Sequence, residues 1–167
     1  EKMFSLTGEP PLGRKELTQK VETGSHDSVA NARLAAIVDS SYDAIISKDL
    51  NSTIISWNPA AQNLFGYTAD EAIGRSVIML IPDHLRQEEI DIISRIRAGD
   101  VVKSYETLRK RKDGRLIPVS LTVSPIRNAR GVIVGASKIA RDISASKESE
   151  RRIRLLLREV NHRVKNQ

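Results

Sequence analysis

The sequence contains no cysteine. Disulfides, thiolate metal sites, a cysteine nucleophile and any photochemistry that closes a cysteinyl–flavin bond are therefore excluded. The absence also fits a reducing cytoplasm, the compartment expected here. Aromatic residues make up only 4%, so there is little on which to stack bases. No apolar run approaches the roughly 20 residues needed to cross a bilayer, and no basic, apolar, small-residue leader opens the chain. The three histidines, His26, His84 and His162, are too widely separated to make a metal spacing. Neither a G-x-x-x-x-G-K-[ST] nor a G-x-G-x-x-G loop is present, so no nucleotide cradle is recognisable. The chain opens on Glu1 and closes on Asn166-Gln167, which read as cut points, so a piece of a longer protein is expected.

What is present is an ordinary globular balance. There are 167 residues, 40% hydrophobic and 29% charged, enough for one domain with extensions and a core of its own. The net charge of +6 raises the question of nucleic acid. Most of the excess falls after residue 142, where Arg151, Arg152, Arg154 and Arg158 follow a helical pattern. A second basic cluster, Arg109-Lys110-Arg111-Lys112, precedes Asp113-Gly114. With so few aromatics, both read as solvated charge, on a helix face and a hairpin, and no nucleic-acid partner is expected.

Residues 1–28 mix Gly, Pro and polar residues and read as a loose leader, with one helical turn near Lys15–Val21. Asp27 or Ser28 can cap a helix carrying Val29, Leu34, Ile37 and Val38. Ala44–Ser47 and Thr53–Trp57 are β-branched runs joined by Asp49-Leu50-Asn51, a hairpin. Asn58-Pro59 supplies a helix cap and a first-turn proline, and Gly66 stops that helix. Thr68 with Glu71 forms a capping box. Residues 83–98 are amphipathic, with Leu85, Ile90, Ile93 and Ile96 in helical phase. Three alternating segments follow, 101–111, 116–124 and 132–140, separated by Asp113-Gly114 and Asn128–Gly131. Two strands, short helices and three more strands predict an α+β domain with one five-stranded antiparallel sheet and helices on one face. From Ser144 a long helix is expected, with Ile153, Leu156 and Val160 spaced as a coiled-coil seam and Leu155 and Leu157 widening it. Such a face needs a partner, and a second copy is the simplest. The expected organisation is therefore a leader over 1–28, a domain over 29–142 and a helix over 143–167.

Taken in order, these residues resemble a PAS sensor domain over 30–143. Ile55-Ser56-Trp57-Asn58-Pro59-Ala60-Ala61, Leu64-Phe65-Gly66-Tyr67 and Glu71–Arg75 look like its second strand and first helices. Arg111-Lys112-Asp113-Gly114 looks like its hairpin, and Arg141-Asp142-Ile143-Ser144 like the junction that opens a signalling helix. The tail Arg158-Glu159-Val160-Asn161-His162-Arg163-Val164-Lys165-Asn166 resembles the phosphoacceptor box of HWE-type and closely related histidine kinases. The resemblance implies that His162 accepts a phosphoryl group from ATP in the parent protein and hands it to an aspartate on a response regulator. It further implies that Asp142, Ile143 and Ser144 relay the signal. His162 lies two residues past a seam position and so points outward, where an imidazole nitrogen can act as a nucleophile. Glu159, one turn earlier, is a candidate to orient its ring.

PAS domains bind ligands between sheet and helices. The lining expected here is Ile46, Ile55, Leu64, Ile78, Leu80, Ile93, Leu121 and Val134, all aliphatic, with few polar groups converging. No cofactor is evident. Gly74-Arg75-Ser76-Val77 lacks the thiol of the cysteinyl-flavin motif, and Glu89 stands where haem-binding relatives carry an axial histidine. Two functions follow: the sensory part of a two-component histidine kinase, inactive without its ATP-binding domain, or a non-enzymatic PAS module that dimerises and controls another output.

Overall fold

The computed structural model describes the backbone from Arg14 to Gln167 and the side chains from Asp27 onward. The chain divides into two compact units, one ending at Val38 and one running from Asp39 to Gln167. Helix α1 spans Arg14–Asp39 without interruption. The expected start at Asp27 or Ser28 is thus corrected: both lie inside the helix, and no cap is needed where the backbone bonds already continue. The same continuity replaces the loose leader over residues 14–28; residues 1–13 lie outside the described part.

The second unit is built on a sheet of β1 (Ala44–Asp49), β2 (Ile54–Trp57), β3 (Val102–Lys110), β4 (Leu116–Arg127) and β5 (Ile133–Asp142). Its order is β2-β1-β5-β4-β3, and all four pairings are antiparallel. The β1–β2 hairpin is fixed by Asp49, whose Oδ1 accepts from the amides of Asn51 at 2.8 Å and Thr53 at 3.0 Å. Short helices α2 (Pro59–Phe65) and α3 (Ala69–Ala72), two 3₁₀ turns and α4 (Arg86–Arg97) connect β2 to β3. Asn58 caps α2: its Oδ1 accepts from Ala61 N at 3.0 Å and also from Ile45 N at 2.9 Å, tying the helix start to β1. Gly66 ends α2 at φ +83°, a conformation that disfavours any residue with a Cβ. Thr68 and Glu71 close the expected capping box.

One apolar cluster lies beneath α2, α3 and the first 3₁₀ turn, around Ile46, Trp57, Phe65, Leu80, Val119 and Leu121. A smaller one joins Ile92 and Ile96 of α4 to Val102, Val123 and Ala136. Finally α5 (Ser144–Lys165) leaves the sheet as a single helix with no buried residue. Among the described residues no helix is long and apolar enough to cross a membrane.

Candidate functional site: buried charges and an exposed histidine helix

The inner face of the sheet carries charge where the sequence pattern suggested only aliphatic groups. Lys48 on β1, Arg109 on β3 and Lys138 on β5 are each at most 1% exposed. Alternation puts Lys48 in phase with Ala44 and Ile46, and Lys138 in phase with Ala136 and Ala140. Gly135 lets β5 press against β1: a Cβ there would lie 2.4 Å from the Lys48 carbonyl oxygen. Helix α4 covers the cluster with Glu88 and Glu89 rather than with a continuous apolar stripe.

Lys48 forms an ion pair with Glu89, whose Oε1 also accepts from Ser52 Oγ at 2.9 Å. Arg109 donates through Nη1 to Glu88 Oε2 and to the Leu108 carbonyl, each at 2.8 Å, and Thr107 Oγ1 donates to Glu88 Oε1 at 2.7 Å. Burial lowers the Lys48 ammonium, although Glu89 pulls the other way. Burial would raise the Glu88 carboxyl, but the hydrogen bonds from Thr107 and Arg109 outweigh it and hold it below its ordinary range. Lys138 is lowered well below the usual lysine value, by burial first and then by its cationic neighbours Arg109 and Lys48. Among the described residues its Nζ has no hydrogen-bond partner, nor do Arg109 Nε and Nη2 or Glu89 Oε2.

The expected lining is corrected in several places. Ile46, Leu80 and Leu121 are fully buried, but Ile55 is 55%, Val134 45% and Ile78 39% exposed. A register shift between Ser47 and Lys48 puts Ile54 and Trp57 inward and leaves Ile55 outside. The 3₁₀ turn buries Val77 and Leu80, three residues apart, so Ile78 faces out. Val134 precedes Gly135 next to a shift at Ile126/Arg127 and falls out of phase with the rest of β5. Leu64 and Ile93 are half-buried, because the inward face of α2 is Ala60, Ala61 and Phe65 and that of α4 is Glu89, Ile92 and Ile96. Arg109, read as part of a solvated hairpin, is buried. The signal that could have found these charges was strand alternation, applied to lysine as strictly as to isoleucine.

At the junction, Asp142 Oδ1 accepts from both Ser144 N, at 2.8 Å, and the Ser144 hydroxyl. Ile143 occupies the cap position and its amide donates to the Pro118 carbonyl of β4 at 3.1 Å. Lys147 in the first turn of α5 pairs with Glu106 of β3 at 2.8 Å. Arg141 pairs with Asp43 at 3.2 Å. The helix start is thus held to the sheet at two places, Pro118 on β4 and Glu106 on β3, while Arg141 ties the end of β5 to Asp43.

Further along α5, Ile153, Leu155, Leu156, Leu157, Val160 and Val164 are all more than half exposed. His162 lies roughly 200° around the helix from Val160, given about 100° per residue, so it faces away from the Ile153/Val160/Val164 side. Its Nδ1 lies 3.0 Å from Asn166 Nδ2. Glu159 does not face the ring: its carboxylate accepts from Arg163 at 2.8 Å, and the group beside His162 is Asn166.

The PAS fold family model matches residues 32–143, and the chain belongs to that family. Over 117 residues it is 30% identical to the signal transduction histidine-protein kinase AtoS of Escherichia coli, covering 70% of this chain and 19% of that protein. It is 31% identical to the oxygen sensor protein DosP of Escherichia coli (67% of this chain, 14% of the relative). It is 27% identical to the cell-division control histidine kinase PdhS of Brucella ovis (70% and 11%). The chain therefore spans about a fifth or less of the curated relatives it matches. Among solved structures, a PAS domain from Colwellia psychrerythraea aligns at 31% identity with a TM-score of 0.64, covering 70% of this chain and 98% of that one.

Proposed function

We propose that the chain is the sensory segment of a cytoplasmic two-component histidine kinase, in which the PAS domain controls a dimeric helix bearing the phosphoacceptor His162. The observation that carries this reading is α5: one unbroken helix from the Asp142 junction to His162, with the histidine facing away from an exposed apolar side. That side suits a second copy of the helix, which would leave His162 accessible. In this reading Ile153, Leu156 and Val160, all exposed on the single helix, would form the seam, and Leu157 and Val164 extend the apolar surface toward its end. The structure sets the Asn166 amide nitrogen on Nδ1, so the transfer requires that amide turned through 180°, its oxygen accepting from Nδ1–H. The other ring nitrogen, Nε2, then keeps its lone pair. In the transfer, that lone pair attacks the γ-phosphorus of ATP held by a separate domain, the bond to the β,γ-bridging oxygen breaks and ADP leaves. A response-regulator aspartate then takes the phosphoryl group.

The PAS match alone does not choose an output, since the matched relatives include two histidine kinases and an oxygen sensor; the resemblance of residues 158–166 to a phosphoacceptor box favours the kinase. The residues favour neither haem nor a cysteinyl flavin: Glu89 is engaged with Lys48, His84 lies exposed on a 3₁₀ turn, and no thiol exists. The test is phosphorylation of the full-length parent with γ-labelled ATP. His162→Gln should abolish acid-labile label while dimerisation is kept, and His26→Gln and His84→Gln should leave labelling intact. Label retained in His162→Gln would return the chain to the class of non-enzymatic PAS dimerisation modules.

A further inference from the structure

The cations of α5 fall into two groups. Lys147 pairs with Glu106 and Glu150, and Arg163 pairs with Glu159. Arg151, Arg154 and Arg158 make no ion pair or hydrogen bond among the described residues. With Lys147 and Leu155 they line one open groove along the helix. At 100° and 1.5 Å per residue, Arg158 lies roughly 40° around and about 6 Å along the axis from His162. It is the end of the row nearest the histidine and, like His162, faces away from Val160. A helical side chain leans toward the N-terminus, so the His162 ring lies over the turn that carries Arg158. Nδ1 faces Asn166, one turn C-terminal. Nε2, across the ring, is left on the Arg158 side, whereas Lys165 lies on the C-terminal side with Asn166. The neighbouring carboxylate, Glu159, is already neutralised by Arg163.

We propose that Arg158 is a catalytic residue of the transfer to His162: its guanidinium holds two non-bridging oxygens of the phosphoryl group as Nε2 takes it. In that transfer the negative charge is spread over these oxygens, and a planar cationic fork fits a pair of them with two parallel bonds. A cation already in place beside the nucleophile stabilises the charge where it moves. Pairing of α5 through its apolar side leaves the Arg158 face open. The proposal rests on the reading of His162 as the phosphoacceptor and adds the group that steadies the phosphoryl oxygens.

The test uses phosphoramidate, which phosphorylates imidazole without an ATP-binding domain. His162 Nε2 bonds to phosphorus, the phosphorus–nitrogen bond of the zwitterionic donor breaks, ammonia leaves and the Nδ1 proton passes to water. The 167-residue chain is treated with it, and the tryptic peptides bearing His162 and His84 are followed at alkaline pH by mass spectrometry. His84 is an exposed reference whose neighbour Arg86 is paired with Asp83. His162 should react about tenfold faster than His84, and Arg158→Gln should bring it down to the His84 rate. Arg158→Lys keeps the charge, loses the fork and should fall between. Arg151→Gln should leave the rate unchanged, because about 16 Å of helix puts that charge roughly two Debye lengths away at physiological salt. Circular dichroism should show the same helix content in all variants, since Arg158 and Arg151 hold nothing in the fold. An undiminished His162 rate in Arg158→Gln, or an equal loss in Arg151→Gln, would overturn the role of Arg158. In the full-length parent with ATP, Arg158→Gln should lower kcat about tenfold or more and change KM for ATP less. Undiminished labelling of His162 from ATP in that variant would count against Arg158 and leave the phosphoacceptor reading standing. ATP label on another residue, with Arg158→Gln still slowing phosphoramidate at His162, would count against that reading and leave the contact standing.

Discussion

The sheet unit and α5 invert each other. Inside the sheet unit, Lys48, Arg109 and Lys138 are withdrawn from water, while on α5 six aliphatic side chains from Ile153 to Val164 stand in it. Elementary hydropathy would exchange the two. A buried charge without a partner is costly, and so is an apolar stripe left wet. Each displacement therefore calls for a compensating interaction: Glu88 and Glu89 supply part of it in the core, and a second helix is proposed for the exposed side. The junction at Asp142–Ser144 lies between them, bonded to β4 and β3 on one side and opening α5 on the other. A change in the packing of the inner sheet face has a short covalent and hydrogen-bonded route to the helix.

The comparison can be broken first at the core. Glu89→Ala removes the partner of Lys48 and leaves that ammonium among apolar groups, so unfolding free energy should fall by about 3 kcal/mol, at the lower end for a broken buried pair. Denaturant titration reads this. A loss below the size of an ordinary surface substitution would mean that water reaches the cluster freely. On the helix, Leu156→Asp with Val160→Asp places charges in the proposed seam and should turn a dimer into a monomer in light scattering, with the monomer's fold intact by circular dichroism. Dimers that survive would move the interface onto the sheet unit. At the junction, Asp142→Ala removes the acceptor of the Ser144 amide and should cost about 1 kcal/mol. In the full-length parent, on the proposed kinase reading, it should also reduce the difference in phosphorylation between stimulated and resting states, and an undiminished difference would show that the route lies elsewhere.

The smallest effect belongs to the surface. Lys112 and the capping-box amide of Thr68 hold the Glu71 carboxyl down to about 2, against an ordinary 4.5. Because the folded value is the lower one, this contribution is complete above pH 4.5 and fades as pH falls toward 2. Glu71→Gln should flatten that part of the stability–pH curve only slightly, since the pair lies at the surface with both side chains partly exposed. A large change would show that the α3 cap matters more than its exposure implies.

Much of this architecture was legible in the sequence because its signals are local. Asn58-Pro59, Thr68 with Glu71 and Asp113-Gly114 mark their helix starts and turn whatever surrounds them. Strand phase was legible as long as a strand ran without interruption, and it failed where a shift intervened, at Ile55 and Val134. The buried charges were hidden for a different reason. A lysine at an inward position of a strand reads as a polar residue until its tertiary partners are known, and Glu89 is separated from Lys48 by 41 residues. On α5 the apolar spacing and the outward place of His162 were readable directly, because helical phase needs no partner. The contact between Asn166 and His162 lies one turn away and was equally available. Attention to the acidic neighbour Glu159 obscured it, and that residue turns to Arg163 instead.

The central claim is that α5 delivers His162 as the acceptor of phosphate. Trypsin cleaves after Arg158 and Arg163, which isolates the peptide Glu159–Arg163 with His162 as its only histidine. The full-length parent, phosphorylated with γ-labelled ATP and digested at alkaline pH to protect phosphohistidine, should carry its acid-labile phosphate on this peptide. Phosphate found on any other peptide, with this one unlabelled, would contradict the account.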